Sequence, residues 1–494
     1  MANNRKPRVR SSIRAASTII LAATALGGCT TVVPKDAGFS DVRQAVASRL
    51  PQKVQWNRNT ADDQAAQAAV GRLLAQPLSV DSAVQIALLR NAVLQAKYEE
   101  LGVSQADLVQ SGLLANPVFS AQVRTGGGGT GREFGVVQDF FGVLTRTPRM
   151  KVEQGNFDQT KLQTAHAVLK LAAEVKSAYY TAVSDAQLVE MNRTAAKAAE
   201  ATAEIAVRQF QAGNISRLDQ TREQAFYAQA ALDVVRAREQ LERDREALTR
   251  IMGLWGKDIQ YSLPMRLPDV PAALPDPGSL EDYAIDNRLD LAAMGKSVET
   301  LRYALGYTRD YRYVGDVAVG VSRERDAEGA TVTGPDLSIG LPIFDQGQAR
   351  IARLEALLRQ QEKERDALAV DIRSQVREAR AKLLIDEQTV RHYRHAILPL
   401  NQKLVKLSYR YYNGMLVGVY ELLRTKQAEI DAGRGYIGAL RDYWLAHASL
   451  EQAIGGPLPV KAEVPPAATQ PEASPRPQPQ PRSAGASEHR HGGH

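Results

Sequence analysis

Few residues in this 494-residue sequence stand at spacings that could do chemistry. The run Gly126-Gly-Gly-Gly-Thr-Gly131 is followed by Arg132 and Glu133, whereas a phosphate-cradling loop needs Lys and then Ser or Thr after its last glycine, so it reads as a flexible surface loop. His392 and His395 lie three apart on one helical face, half of a metal site without a third ligand nearby in the sequence. His489, His491 and His494 close the chain, and histidine-rich ends hold transition metals, so metal binding is expected of this tail. No nucleophile elbow, zinc-protease helix or dinucleotide fingerprint is present, so neither an enzyme activity nor a cofactor is expected. Cys29 is the single cysteine, which excludes an internal disulfide and a paired-cysteine metal site. Asp219 and Glu421 each follow a turn at the start of a helical run, where a carboxylate serves as a cap or a solvated charge.

Cys29 gains meaning from what precedes it. Arg5, Lys6, Arg8, Arg10 and Arg14 come without an acid, and Ala15 to Leu26 is an apolar run too short to span a bilayer, the pattern of a secretory signal. The ending Leu26-Gly27-Gly28-Cys29 resembles the bacterial lipobox, which implies cleavage before Cys29 and a covalent lipid, palmitate included, on that residue. Thr30 in place of Asp after the cysteine implies sorting to the outer membrane. The formal charge of +7 invites a nucleic-acid reading. Five of those charges belong to the leader, however, and the remaining chain is close to neutral, so nucleic acid is not an expected partner.

The remaining elements are scaffolding. Aromatic residues are scarce at 6%, while alanine and glutamine are abundant, which favours helix. Helices are predicted at about 61–75, from the Ser79 cap to about Ala115, and from about Arg149 to Ala212, a proline-free run of roughly 95 Å. Gly213 stops that run, and Ser216 with Asp219 three residues on restarts it as a variant capping box, giving a return helix to about Met252. A further helix is expected from about Ser279 to Thr308. Gly347 to Tyr412 is then a second long run with a kink at Pro399, Asn413-Gly414 makes the turn, and a return helix runs from Val417 to about Ile454.

Between the helices lie segments of alternating residues. Phe119, Ala121 and Val123 oppose Ser120, Gln122 and Arg124, and Glu133 to Leu144 is a second, less regular strand. Tyr313, Gly315, Val317, Val319 and Val321 alternate in a third; Leu337, Ile339, Leu341 and Ile343 do so in a fourth, with Arg323 to Gly334 as a solvated loop between them. Superposing Gly213 on Gly414 sets Phe210 against Tyr411 and Ile215 against Leu416, an internal repeat of a whole helix–hairpin–helix unit. The resulting domains are a lipoprotein signal at 1–28, a lipidated segment at 29–78, repeats at 79–278 and 279–456, and a disordered tail containing Pro and His at 457–494.

Two hairpins supply four strands, and the smallest membrane barrels need about eight. Open sheet edges are not tolerated in lipid, so identical chains must share one barrel. The twin tips, Phe210-Gln-Ala-Gly213-Asn-Ile-Ser-Arg-Leu-Asp219 and Tyr411-Tyr-Asn-Gly414-Met-Leu-Val-Gly-Val-Tyr420-Glu421, with the exit Leu341-Pro-Ile-Phe-Asp345, resemble the TolC family of outer-membrane factors, and the resemblance covers nearly everything from Pro77 to Gly456. It implies a mainly α protein with a membrane β-barrel, in which a homotrimer gives a 12-stranded shared barrel continuous with a long periplasmic α-helical barrel.

It implies a passive exit channel for metal ions or small organic compounds, fed by a periplasmic adaptor (a membrane fusion protein) and an inner-membrane pump, and embedded in outer-membrane lipid. Under this resemblance Gly213, Asn214, Gly414 and Met415 are adaptor-contact tips, and Asp219, Tyr420 and Glu421 constrict the lumen, with Tyr420 standing opposite Asp219 in the repeat and Glu421 as its neighbour. The competing reading is a lipid-anchored coiled-coil scaffold tethering the outer membrane to a periplasmic partner, which leaves the alternating strands unexplained.

Overall fold

The computed structural model describes residues 33–58, 60–126, 129–271, 280–326 and 328–459. Cys29 with its leader, and His489, His491 and His494, lie outside the described residues. Helices α1 (Phe39–Ala47) and α2 (Ala61–Leu74) lead to α3 (Val80–Arg90), capped as expected by the Ser79 hydroxyl, which accepts from the Ser82 amide. A single helix from Ser79 to Ala115 does not form. The chain breaks at Asn91, whose side chain accepts the Leu94 amide and starts α4 (Ala92–Ser111); asparagine competes for backbone donors in this way and so favours caps.

Strands β1 (Val118–Gly126), β2 (Gly129–Asp139), β3 (Val317–Arg325) and β4 (Thr331–Ile339) form one antiparallel sheet in the order β1-β2-β3-β4. Two expectations change. The second strand ends at Asp139, because its carboxylate accepts the Gly142 amide at 3.0 Å and turns Phe141–Leu144 into a one-turn helix, α5. Most of Arg323 to Gly334 is ladder rather than loop, pairing Arg323 with Thr333 and Arg325 with Thr331, while Tyr313, Gly315, Leu341 and Ile343 lie beyond the strands. Charged residues at a hairpin's end carry no apolar alternation, so the pattern hides pairing that the backbone makes anyway. The glycine run behaves similarly, since Gly126 pairs with Gly129 and Thr125 with Thr130; residues 127–128 lie outside the described residues.

Helix α6 (Arg146–Gln211) is 66 residues long, about 100 Å, and α7 (Arg217–Met252) returns beside it. In the second half α8 (Leu280–Asn287) and α9 (Leu289–Asp310) break at Arg288, where one helix from Ser279 to Thr308 was expected. Then come α10 (Gln348–His392), a π turn at Tyr393–Ile397, α11 (Leu398–Asn413) and the return helix α12 (Val419–Ile454). Pro399 produces the π turn rather than a plain kink. Proline brings no N–H to the ladder, and one wide turn upstream, with the Leu398 amide on the Tyr393 carbonyl, absorbs the misfit.

The repeat is tighter than the glycine superposition suggests. Arg146 corresponds to Gln348, Gln211 to Asn413, Arg217 to Val419 and Met252 to Ile454, a constant offset of 202 residues. In each repeat the break between the two short helices seats on the end of the return helix. Asn91 Nδ2 donates to the Ile251 carbonyl at 2.8 Å, and an Arg288 guanidinium nitrogen donates to the Ala453 carbonyl at 3.1 Å, where Ile251 and Ala453 are counterparts. Gly253, at φ 70°, permits the first seat: a Cβ there would stand 2.5 Å from the Arg90 carbonyl oxygen. The core gathers at this joint around Leu78, Leu88, Tyr98, Leu248, Met252, Tyr443 and Ile454. Below it the long helices run side by side in the order α7, α6, α12 and then α10–α11, so that α7 and α10–α11 form the two edges.

Candidate functional site: the helical tips and the strand sheet

Both tips close α-helices by the same hydrogen bonds. The Gly213 amide donates to the Phe210 carbonyl and the Asn214 amide to Gln209; at the other tip the Met415 amide donates to Tyr412 and the Leu416 amide to Tyr411. The left-handed position that ends such a helix is Gly213 (φ 76°) in the first and Met415 (φ 59°) in the second. Met415, not Gly414, is therefore the counterpart of Gly213. A side chain in that region costs about 1–2 kcal/mol, which makes glycine the natural guess, and a glycine one residue away drew the superposition off register. Met415 is 95% exposed and Leu416 projects beside it.

The corrected register changes the acids. Ser216 and Gly418 are the N-caps of α7 and α12, so Asp219 and Glu421 are both third residues of their helices, and the counterpart of Tyr420 is Leu218. Each acid faces an arginine three residues on, Asp219 with Arg222 at 3.7 Å and Glu421 with Arg424 at 3.3 Å. The Ser216 hydroxyl accepts the Asp219 amide at 3.1 Å and donates to its carboxylate at 2.7 Å, a closed ring that fixes the first turn of α7.

Tyr420 reaches from α12 to this ring. Burial first, then the carboxylates of Asp219 and Glu223, hold its phenol above the usual range. Glu223, one turn further along α7, is buried, and desolvation followed by Asp219 raises its carboxyl. Asp219 and Tyr420 are thus brought together across the two repeats, joined by Glu223, which the sequence did not single out although it lies one turn from Asp219. Glu421 stays apart with Arg424.

The sheet at the opposite end is two-faced. Phe119, Val136, Val321 and Pro335 stand in one row across the four strands, with Ala121 and Phe134 in the next. Phe119, Val136, Val321, Leu337 and Ile339 on this face are all about half exposed or more. The other face carries Ser120, Gly135, Ser322 and Gly334 in a row, flanked by Gln122, Glu133 and Glu324. Among the described residues both outer strands, β1 and β4, keep an unpaired edge. No helix among the described residues is long and apolar enough to cross a membrane.

Comparisons with known proteins agree with this geometry. Residues 133–254, from β2 through the first tip to the end of α7, match the model of the outer membrane efflux protein family. The cobalt-zinc-cadmium resistance protein CzcC of Cupriavidus metallidurans is 23% identical over 405 residues, 78% of this chain and 91% of that protein. The chain is thus similar to outer membrane efflux proteins in part of its sequence and to TolC-type channels in its fold. Among solved structures, the outer membrane channel CmeC of Campylobacter jejuni superposes with a TM-score of 0.65 at 14% identity, covering 77% of this chain and 86% of that one. VceC of Vibrio cholerae gives 0.63 at 14% identity, covering 80% and 98%. The mainly helical TolC-type fold with its strand domain is therefore established for this chain.

One further buried group is shifted by its surroundings. Asp185 on α6 is buried beside Asp244 of α7, and desolvation, then hydrogen bonding to Asp244 and its charge, push its carboxyl up to about 7, opposed by Arg441 of α12. A carboxyl raised by folding favours the protonated form, so its contribution is fully present below the ordinary carboxylate range and is lost as pH rises towards 7. Thermal unfolding of the purified protein is expected at progressively lower temperature from pH 5 to pH 8, and Asp185→Asn is expected to flatten that slope. Among the described residues no cluster of three metal-ligating side chains occurs, and His392, just before the π turn, and His395, within it, stay exposed.

Proposed function

We propose that three copies of this chain form a passive outer-membrane exit channel that takes its substrate from a periplasmic adaptor and an inner-membrane pump. The observation that carries this reading is the one-sided four-stranded sheet with unpaired edges, continuous with helices of about 100 Å. Three such sheets close a barrel with the apolar face towards lipid and Ser120, Gln122, Glu133 and Glu324 towards the lumen. The helices continue the tube into the periplasm. Cys29 carries the lipid that holds the subunit at the outer membrane. Gly213, Asn214, Gly414 and Met415 meet the adaptor, while Asp219, Tyr420 and Glu421 narrow the mouth.

Metal ions are the favoured cargo, because the relative covering most of this chain is a cobalt-zinc-cadmium resistance protein and the tail ends in His489, His491 and His494. The test is reconstitution of the full-length protein in planar bilayers together with its mass in detergent. Stepwise conductance from a trimer is expected. A monomer without conductance overturns the channel and leaves the tethering scaffold.

A further inference from the structure

The apolar face of the sheet changes character towards the strand hairpin ends. Along β3 the series Val317, Val319 and Val321 is continued on the same face by Arg323 and Arg325, and Arg132 on β2 stands directly opposite Arg325. Phe134 and Thr333 flank Arg323 in its row, and Thr331 lies beside Arg325 in the next. These arginines are all exposed. Among the described residues none of them has a carboxylate partner, because the neighbouring acids Glu133 and Glu324 alternate to the other face, where Glu133 pairs with Arg124 at 3.3 Å. Like charges directly opposite in a ladder destabilise the pair. The cluster therefore calls for an anion from outside the chain. Its position says which kind. Arg323 lies about 7 Å along the strand beyond Val321. Phe119 and Phe134 stack beside it with ring centroids 6.3 Å apart, and aromatic rings of this kind form the girdle where a barrel leaves the hydrocarbon. At that level a guanidinium costs little against lipid and meets headgroups.

We infer that Arg132, Arg323 and Arg325 form a clamp for the phosphate groups of a phosphorylated glycolipid in the outer leaflet. This rests on the outer-membrane barrel proposed above, with the apolar face towards lipid and the strand hairpin ends outward. A guanidinium presents a planar fork of donors that matches phosphate oxygens two at a time, and a cluster of such forks across two adjacent rows holds a lipid bearing two phosphates better than one bearing none. Thr331 and Thr333 add uncharged donors in the same rows. A bound phosphate also removes the repulsion between Arg132 and Arg325, so lipid binding and strand pairing stabilise one another. Acyl chains of the same lipid lie along Phe119, Phe134 and Val136 on the adjoining apolar rows, which inorganic phosphate cannot do.

Two readings on the full-length protein in neutral detergent test the clamp, with diphosphoryl lipid A, its phosphate-free derivative or inorganic phosphate added. By native mass spectrometry the wild type is expected to retain diphosphoryl lipid A, and Arg323→Gln with Arg325→Gln to retain it about tenfold more weakly. The phosphate-free lipid is expected not to distinguish the two proteins, and inorganic phosphate not to displace the lipid. Arg124→Gln, which removes a charge from the opposite face, is expected to retain the lipid as the wild type does. In thermal unfolding without lipid, Arg132→Gln is expected to be the more stable protein, since it relieves the repulsion across the ladder; with diphosphoryl lipid A the order is expected to reverse. Equal retention of the phosphorylated and phosphate-free lipids by the wild type, equal retention by the wild type and the paired variant, or an order of stability that lipid leaves unchanged overturns the clamp and leaves the channel standing. A wild-type protein that forms no heat-modifiable barrel overturns both.

Discussion

Arginine at Val321 is expected to abolish assembly in the outer membrane, whereas arginine at the adjacent Ser322 is expected to leave it largely intact. Val321 sits mid-strand in β3, between Val136 of β2 and Pro335 of β4, on the apolar face, and is 58% exposed. In a shared barrel that face meets lipid, where an arginine near the bilayer midplane costs roughly 2–4 kcal/mol per copy. Three copies then cost about 6–12 kcal/mol, comparable with the whole stability of a folded domain. Ser322 points to the opposite face, in a row with Gly135 and Gly334 that leaves room for a long side chain in the lumen. Membrane fractionation and heat-modifiable migration read the outcome. Wild-type assembly of Val321→Arg, or equal loss from both substitutions, would mean that the apolar face does not meet lipid.

The contrast between neighbouring residues is also what made this fold legible. Alternation over Phe119 to Val123 and Val317 to Val321 placed the strands, and proline-free runs bounded by Gly213 and Ser216 placed the long helices, because both signals are local and periodic. What escaped was set by partners distant in sequence. Asn91 and Arg288 break their helices where they bind the ends of α7 and α12, contacts that span 160 and 165 residues. The ladder through Arg323 to Arg325 is drawn by β2 and β4 across from it, and no apolar rhythm marks it. At the tips, residue type misled outright: glycine is the usual left-handed residue, yet Met415 holds that conformation beside Gly414. The one-residue slip paired Asp219 with Tyr420 in sequence, when the two belong together by contact and Asp219 pairs with Glu421 by register.

That distinction decides what removing the acids should do. Asp219→Ala with Glu421→Ala is expected to cut the cation preference of the reconstituted channel by about threefold or more at 0.1 M salt, where screening acts over about 10 Å, and to change little at 1 M, where it acts over about 3 Å. A purely steric constriction would show no such salt dependence. The two acids are not equal contributors. Asp219 is anchored by Ser216 and faced by Tyr420 with Glu223 behind it, so its carboxylate is held at one place, while among the described residues Glu421 pairs with the exposed Arg424. Asp219→Ala alone is accordingly expected to give most of the effect and Glu421→Ala alone little. Tyr420→Phe keeps the ring and removes the hydroxyl that lies near Asp219, so it is expected to alter opening without altering selectivity. Selectivity that follows Glu421 instead, or that survives the double substitution at low salt, places the narrowest point away from the Asp219 ring.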